Sequence, residues 1–189
     1  ALVKENIVKY YLGSLARSIS RKAKCSVLLL TSPSKEEEKV KKIIVNGTEN
    51  PKTIHTLNTA LYIAKKFNVK EIKIAKEVDT TALAMTMAGD SSKLEANKIR
   101  KDFNEIESIK LHSIVERSNP ETVTVVEKII AGKSGFAISK YAKDKNADLL
   151  VINSPDTSLN LFDRIFTHDI EYILADLPCD VLIVHSRIK

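Results

Sequence analysis

Tryptophan is absent from the 189 residues, methionine and cysteine occur twice each, and glycine and proline five times each. So few glycines and prolines exclude collagen-like and low-complexity chains. No apolar run approaches the roughly 20 residues that a spanning helix needs. The opening ALVKENIVKYYLG lacks the basic-then-apolar layout of a secretion signal. It also lacks an initiator methionine, from which a fragment of a longer protein is expected. Two cysteines, Cys25 and Cys179, cannot make a disulfide framework. What remains, 43% hydrophobic and 29% charged residues, is the composition of a soluble globular chain long enough to bury a core.

The formal net charge is +6, which raises nucleic acid or an anionic surface as a partner. The lysines, however, are spread through the chain and interleaved with Glu and Asp, as on a solvated surface. Only RKAK (Arg21 to Lys24) and the mixed-sign KEEEKVKK concentrate charge. A more informative pattern is a repeat: Cys25 to Ser32 reads CSVLLLTS, and Cys179 to Ser186 reads CDVLIVHS. The two cysteines hold equivalent places in it, as small apolar residues at the mouth of a buried strand.

Hydrophobic periodicity predicts an alternation of strands and helices. KKIIVNG is a short apolar run ended by a turn, and in NPKTIHTLNTALYIAKKFN the residues Ile54, Leu57, Leu61 and Ala64 share a helical face. VKEIKIAKEV alternates as a strand, and SSKLEANKIRKDFNEIESIKLHSIVER forms a long helix with Leu94, Ile99, Phe103, Ile106 and Ile109 tracing its stripe. TVTVVEKII is a β-branched strand, and KSGFAISKYAKDKN is a helix that Ser134 is placed to cap. ADLLVINS, LFDRIFTHDIEYILADL and CDVLIVHS complete the series as strand, helix and strand. DTTALAMTMAGD, with Met85 and Met87, reads as a loop or a short helical turn. Such alternation requires right-handed crossovers and a parallel sheet covered on both faces. The expected fold is α/β, a doubly wound five-stranded parallel sheet of order 3-2-1-4-5, with an extra N-terminal helix-strand unit, GSLARSISRKAKCSVLLL. That unit repeats the closing helix and strand and has no sheet of its own. The expected division is therefore residues 1–34 as the closing unit of a truncated first domain, 35–41 as a linker, and 42–189 as a complete domain.

The complete domain resembles the universal stress protein family along its length. KKIIVNGTENPKTIHTLNTALYIAKKF is similar to the family's opening strand, turn and first helix. IIAGKSGFAISKYAKDKNADLLVINS is similar to its Gly-led third helix and the strand that follows, and HDIEYILADLPCDVLIVHS to its closing signature. The resemblance implies an adenine nucleotide alpha hydrolase-like fold with a nucleotide crevice at the carboxyl ends of the strands. Members that bind ATP carry Gly-x-x-Gly, about nine residues, then Gly-Ser/Thr, where backbone N–H groups approach phosphates. This chain departs from that pattern. Asn153 to Asn160 contains no glycine, Thr167-His168 stands where Gly-Ser/Thr is expected, and Asn46 replaces the usual aspartate. Asp156 and Asp169 add negative charge nearby, and the first unit keeps Gly13-Ser14. The candidate crevice residues are Asn46, Gly47, Thr48, Asn153, Thr157, Asn160, Thr167 and His168, a degenerate nucleotide site.

Other constellations are weaker. AGKSG (Ala131 to Gly135) lacks the earlier glycine of a phosphate loop, with Glu127 in its place, and reads as a strand-to-helix turn. His55, His112, His168 and His185 have no metal-ligand spacing, and no Ser-His-Asp or Cys-His order suggests hydrolysis. The function expected is a non-catalytic regulatory or interaction module without a cofactor. The resemblance extends to cytoplasmic tails of bacterial transporters such as cation/proton antiporters. ATP or AMP binding is the alternative reading, and nucleic-acid binding through the positive charge a third. Self-association is expected through the closing strands, residues 25–30 and 181–184, which should meet antiparallel within one chain or across a dimer.

Overall fold

Continuous runs of β-branched and aliphatic residues become strands buried on both faces, and in the computed structural model they form one sheet. The structure describes residues 18–20, 22–31, 40–79, 93–154 and 168–186. The strands are β1 (Val27–Leu29), β2 (Ile43–Asn46), β3 (Glu71–Val78), β4 (Thr124–Ala131), β5 (Leu149–Asn153) and β6 (Asp180–Val184). The helices are α1 (Thr53–Lys66), α2 (Lys93–Ser118), α3 (Phe136–Asp144) and α4 (His168–Ala175). The strand order is β1-β6-β5-β2-β3-β4. Five strands run parallel, and β1 joins β6 antiparallel in the register Val27↔Ile183, Leu28↔Leu182, Leu29↔Val181.

The sheet is thus mixed and six-stranded: the N-terminal strand joins the closing strand antiparallel, as expected, and of the two arrangements left open it does so within one chain. The cause is the repeat itself: the edge of β6 is an open template, and the like-sequenced β1 fills it from within the chain. Asp180 fixes the junction by accepting hydrogen bonds from the Thr31 backbone N–H (2.7 Å) and hydroxyl (2.9 Å). Leu29 enters the core, whereas Leu28, now on the outermost strand, stays 54% exposed.

Alternation along each strand divides the core. Ile44, Ala75, Leu150, Ile152, Val181 and Ile183 face α3 and α4 through Ile138, Ala142, Ile173 and Leu174. Ile43, Val45, Ile72, Ile74 and Val151 face α1 and α2 through Leu57, Ala60, Leu111 and Val115. Scarce glycine does not impair the helix ends, because asparagine takes the left-handed position after three of them. Asn68, Asn119 and Asn146 have φ of 55°, 47° and 48°. Behind two of them a backbone N–H reaches five residues back, Val69 to Ala64 and Ala147 to Ala142, the bonding that closes a helix.

Two local expectations are corrected. The stripe assigned to α2 is not its buried face: Ile99, Ile106 and Ile109 are exposed, the last at 64%. Glu107, Leu111, Val115 and Ser118 are buried instead, a face rotated away from Ile106 and Ile109. Leu94 lies outside the residues whose side chains are described. Ser134 does not cap α3. Its hydroxyl donates to Glu77 (3.3 Å), and the Glu77 carboxylate accepts the Ile138 N–H at 2.7 Å, so β3 supplies the cap. Gly135, with φ of 77°, holds the turn before that helix as a residue without a Cβ can.

Asp180→Ala should release β1 without unfolding the sheet. The loss of two hydrogen bonds to a part-exposed carboxylate is expected to cost about 2–3 kcal/mol, with faster amide exchange at Leu28 and Leu29 measured by NMR and core amides unchanged.

Candidate functional site

In a doubly wound sheet the crevice lies outside the carboxyl ends of the strands, and here β2 and β5 end side by side with Asn46-Gly47-Thr48 and Asn153. Asn153 is the hub. Its amide nitrogen donates to the hydroxyls of Thr48 (2.8 Å) and Thr53 (3.0 Å), and its amide oxygen accepts from the Thr56 hydroxyl. Thr53 also donates to the Thr48 carbonyl at 2.7 Å. Both ends of the Asn153 amide are therefore engaged, and the first turn of α1 is tied to the tips of β2 and β5.

Gly47 serves packing. Its N–H donates to the Ala75 carbonyl at 2.8 Å. A Cβ there would lie 2.8 Å from a Leu111 methyl and 3.0 Å from Ile74 Cγ1. The close approach is made to hydrophobic side chains of α2 and β3. Asn46 is buried, and its Oδ1 finds no hydrogen-bond partner among the described residues. Thr157, Asn160 and Thr167 lie outside the described residues, as do Gly13, Ser14, Met85 and Met87. His168 opens α4, and its side chain is not described.

Sequence reasoning missed the charged groups beside this network. Lys76 on β3 is only 6% exposed and forms an ion pair with Glu107 of α2, itself 10% exposed. Glu49, next to Thr48, reaches both Lys76 and Lys110 at 3.2 Å, and Lys110 reaches Glu107 at 3.1 Å. The hydrogen bonds from Lys110 and then Lys76 hold the Glu49 carboxyl below its ordinary value. For Glu107, burial pushes the carboxyl upward more than any other single influence, yet its bonds and charges from Lys76 and Lys110 together hold it below the ordinary 4.5. The signal was present: Lys76 shares the phase of Ile72 and Ile74, and Glu107 that of Leu111 and Val115.

The remaining candidates are occupied elsewhere. His112 hydrogen-bonds Glu127 at 2.8 Å and lies 3.5 Å from Glu116, contacts that raise its pKa. Burial, then the Asp180 charge, pushes the Cys179 thiol up to about 12, which keeps it protonated and unreactive. Cys25 is exposed and unpaired. AGKSG is a turn from β4 into α3. Among the described residues no group of His, Cys, Asp and Glu is placed to hold a metal ion, and no helix is long and apolar enough to cross a membrane.

Residues 39–185 match the profile of the universal stress protein family. The chain belongs to that family. Solved structures share its fold. A universal stress protein in complex with cAMP is 18% identical with a TM-score of 0.54, and the match covers 78% of this chain and 99% of that one. For UspA of Lactobacillus plantarum the identity is 18%, the TM-score 0.51, and the coverage 78% and 99%. A functionally unknown Pseudomonas aeruginosa protein, 18% identical with a TM-score of 0.60, matches 97% of this chain over 60% of its own. The sequence matches no curated protein.

In this universal stress protein the charged quartet should govern acid stability. Glu49 and Glu107 have folded pKa values below their unfolded ones, so their stabilisation is present above pH 4.5 and is lost as pH falls through the lower folded values. Lys76→Met removes the buried partner and should cost roughly 3–5 kcal/mol at pH 7. In Lys76→Met/Lys110→Gln burial alone acts on Glu107, so stability between pH 7 and 5 should rise on acidification. Urea unfolding followed across this range measures both effects.

Proposed function

We propose that this chain is a non-catalytic regulatory or interaction module of the universal stress class, without tight ATP binding or any other cofactor. The closed network around Asn153 carries this reading. Its amide is committed on both sides to Thr48, Thr53 and Thr56, so a ligand must displace bonds already made before it gains any. Two further features support it: Leu111 and Ile74 crowd Gly47, and the Glu77 carboxylate already satisfies the N-terminal amide of α3. Calorimetric titration with ATP and with AMP is the test. No saturable heat is expected at nucleotide concentrations below about 1 mM, a ceiling of roughly 4 kcal/mol in binding free energy. Micromolar binding would overturn the reading.

ATP or AMP binding is the second reading, favoured by the buried Asn46 Oδ1, an acceptor in need of a donor such as an exocyclic amine. Under it, Asn46→Ala should abolish the nucleotide signal.

The proposal extends to the organisation of the chain. The likeness of CSVLLLTS to CDVLIVHS and their antiparallel pairing support β1 as the closing strand of a first unit of the same kind. Because β6 is paired within the chain, self-association would run along the outer edge of β1. The setting proposed is cytoplasmic, with this module as the tail of a transporter such as a cation/proton antiporter. Cell fractionation would then recover the chain in the membrane pellet. A soluble pool alone would exclude the tail.

A further inference from the structure

The opposite end of the sheet from the crevice holds a cavity of about 450 Å³. Five lysines line it, Lys41, Lys42, Lys70, Lys73 and Lys145, against one carboxylate, Glu71. The fold brings them together. Lys41 and Lys42 lead into β2, Lys70 leads into β3, and Lys145 follows α3. The register Ile44↔Lys73 sets Lys73 beside β2. Ile43, Ile44 and Val69 form an apolar part of the wall.

The nearest acids, Glu71 in the wall and Asp148 beside Lys41 and Lys42, offset only two of these five positive charges and leave a net charge of +3 (5 − 2). Asp148 is held against the backbone, where its Oδ2 accepts the N–H groups of Lys41 and Lys42 at 2.8 Å each. The Lys42 ammonium reaches the Lys145 carbonyl at 3.5 Å, and Lys145 lies over the Tyr141 ring at 5.8 Å. Lys41, Lys70 and Lys73 have no carboxylate partner among the described residues. Like charges gathered in a concave, partly apolar site repel one another and focus a positive potential on its interior. Solvent screens part of that repulsion, since four of the five lysines are exposed, and a multivalent anion relieves more of it.

We propose that this cavity binds a compact polyphosphate, either free in solution or as the headgroup of a phosphoinositide lipid. Lysine ammoniums act as point charges for phosphate oxygens. The concave shape and limited volume suit several phosphates on a small body. They do not suit a nucleic-acid backbone, which needs an extended basic stripe, and no aromatic side chain lines the cavity to stack a base. The site shares no residue with the crevice, so it holds whether or not the crevice takes a nucleotide.

The test uses two probes. Inorganic tripolyphosphate is titrated by calorimetry, and phosphatidylcholine vesicles with and without phosphatidylinositol bisphosphate are assayed by co-sedimentation. Saturable binding of either probe is expected, falling steeply as salt rises. It should weaken about tenfold or more in Lys70→Gln/Lys73→Gln, and likewise in Lys41→Gln/Lys145→Gln, which spares the half-buried Lys73. Lys101→Gln, an exposed lysine of α2, should bind as the parent does, and thermal unfolding confirms that each variant is folded. Binding of tripolyphosphate alone identifies a free polyphosphate, and lysine-dependent capture on phosphoinositide vesicles identifies the headgroup. Failure of both probes, or binding that neither double variant weakens, overturns the proposal.

Discussion

The ammonium of Lys76 is the constraint around which the upper half of the domain is arranged. A cation only 6% exposed is tolerated only with a counter-charge at contact. The counter-charge nearest to full burial is Glu107, and it rides on α2. The long helix is therefore held in one rotational setting over β3, in which Leu111 and Val115 enter the core and Ile106 and Ile109 turn outward. Leu111 in that setting fills the space over Gly47. The buried ion pair and the packing of Leu111 and Val115 thus mark the same face of the helix, and that face differs from the one that looks apolar in the sequence.

The two ends of the sheet are finished differently. At the carboxyl end, neutral side chains satisfy one another around Asn153 and charges are balanced within the quartet of Lys76, Lys110, Glu49 and Glu107. At the amino end, five lysines gather around one lining carboxylate, and Lys41, Lys70 and Lys73 have no ion-pair partner among the described residues. Family membership alone directs attention to the first end. The distribution of unmet charge directs it to the second.

The strand and helix succession was legible because each segment declares its own period. Val45, Leu150 and Val151 are buried as an apolar run in a parallel sheet requires, and Leu57, Ala60 and Ala64 follow a helical spacing. The clustering of Asn46, Gly47, Thr48 and Asn153 also followed from topology, since their strands end together. What escaped was pairing between distant positions. Nothing local to Lys76 names Glu107 as its partner, and nothing local to α3 says that Glu77 of another strand will cap it in place of Ser134. The β1–β6 junction lay between these cases: the repeat announced that the two strands belong together, but only the register shows that one chain supplies both.

That junction carries a kinetic consequence. Thr31 and Asp180 are 149 positions apart, yet the covalent connection keeps the short strand at a high effective concentration beside its acceptor. The entropy of closing so long a loop grows only slowly with its length. A free segment of the same sequence, arriving from another molecule, has to compete with a neighbour that never diffuses away. The edge is consequently guarded less by the strength of three residues' bonds than by the tether that returns them whenever they open.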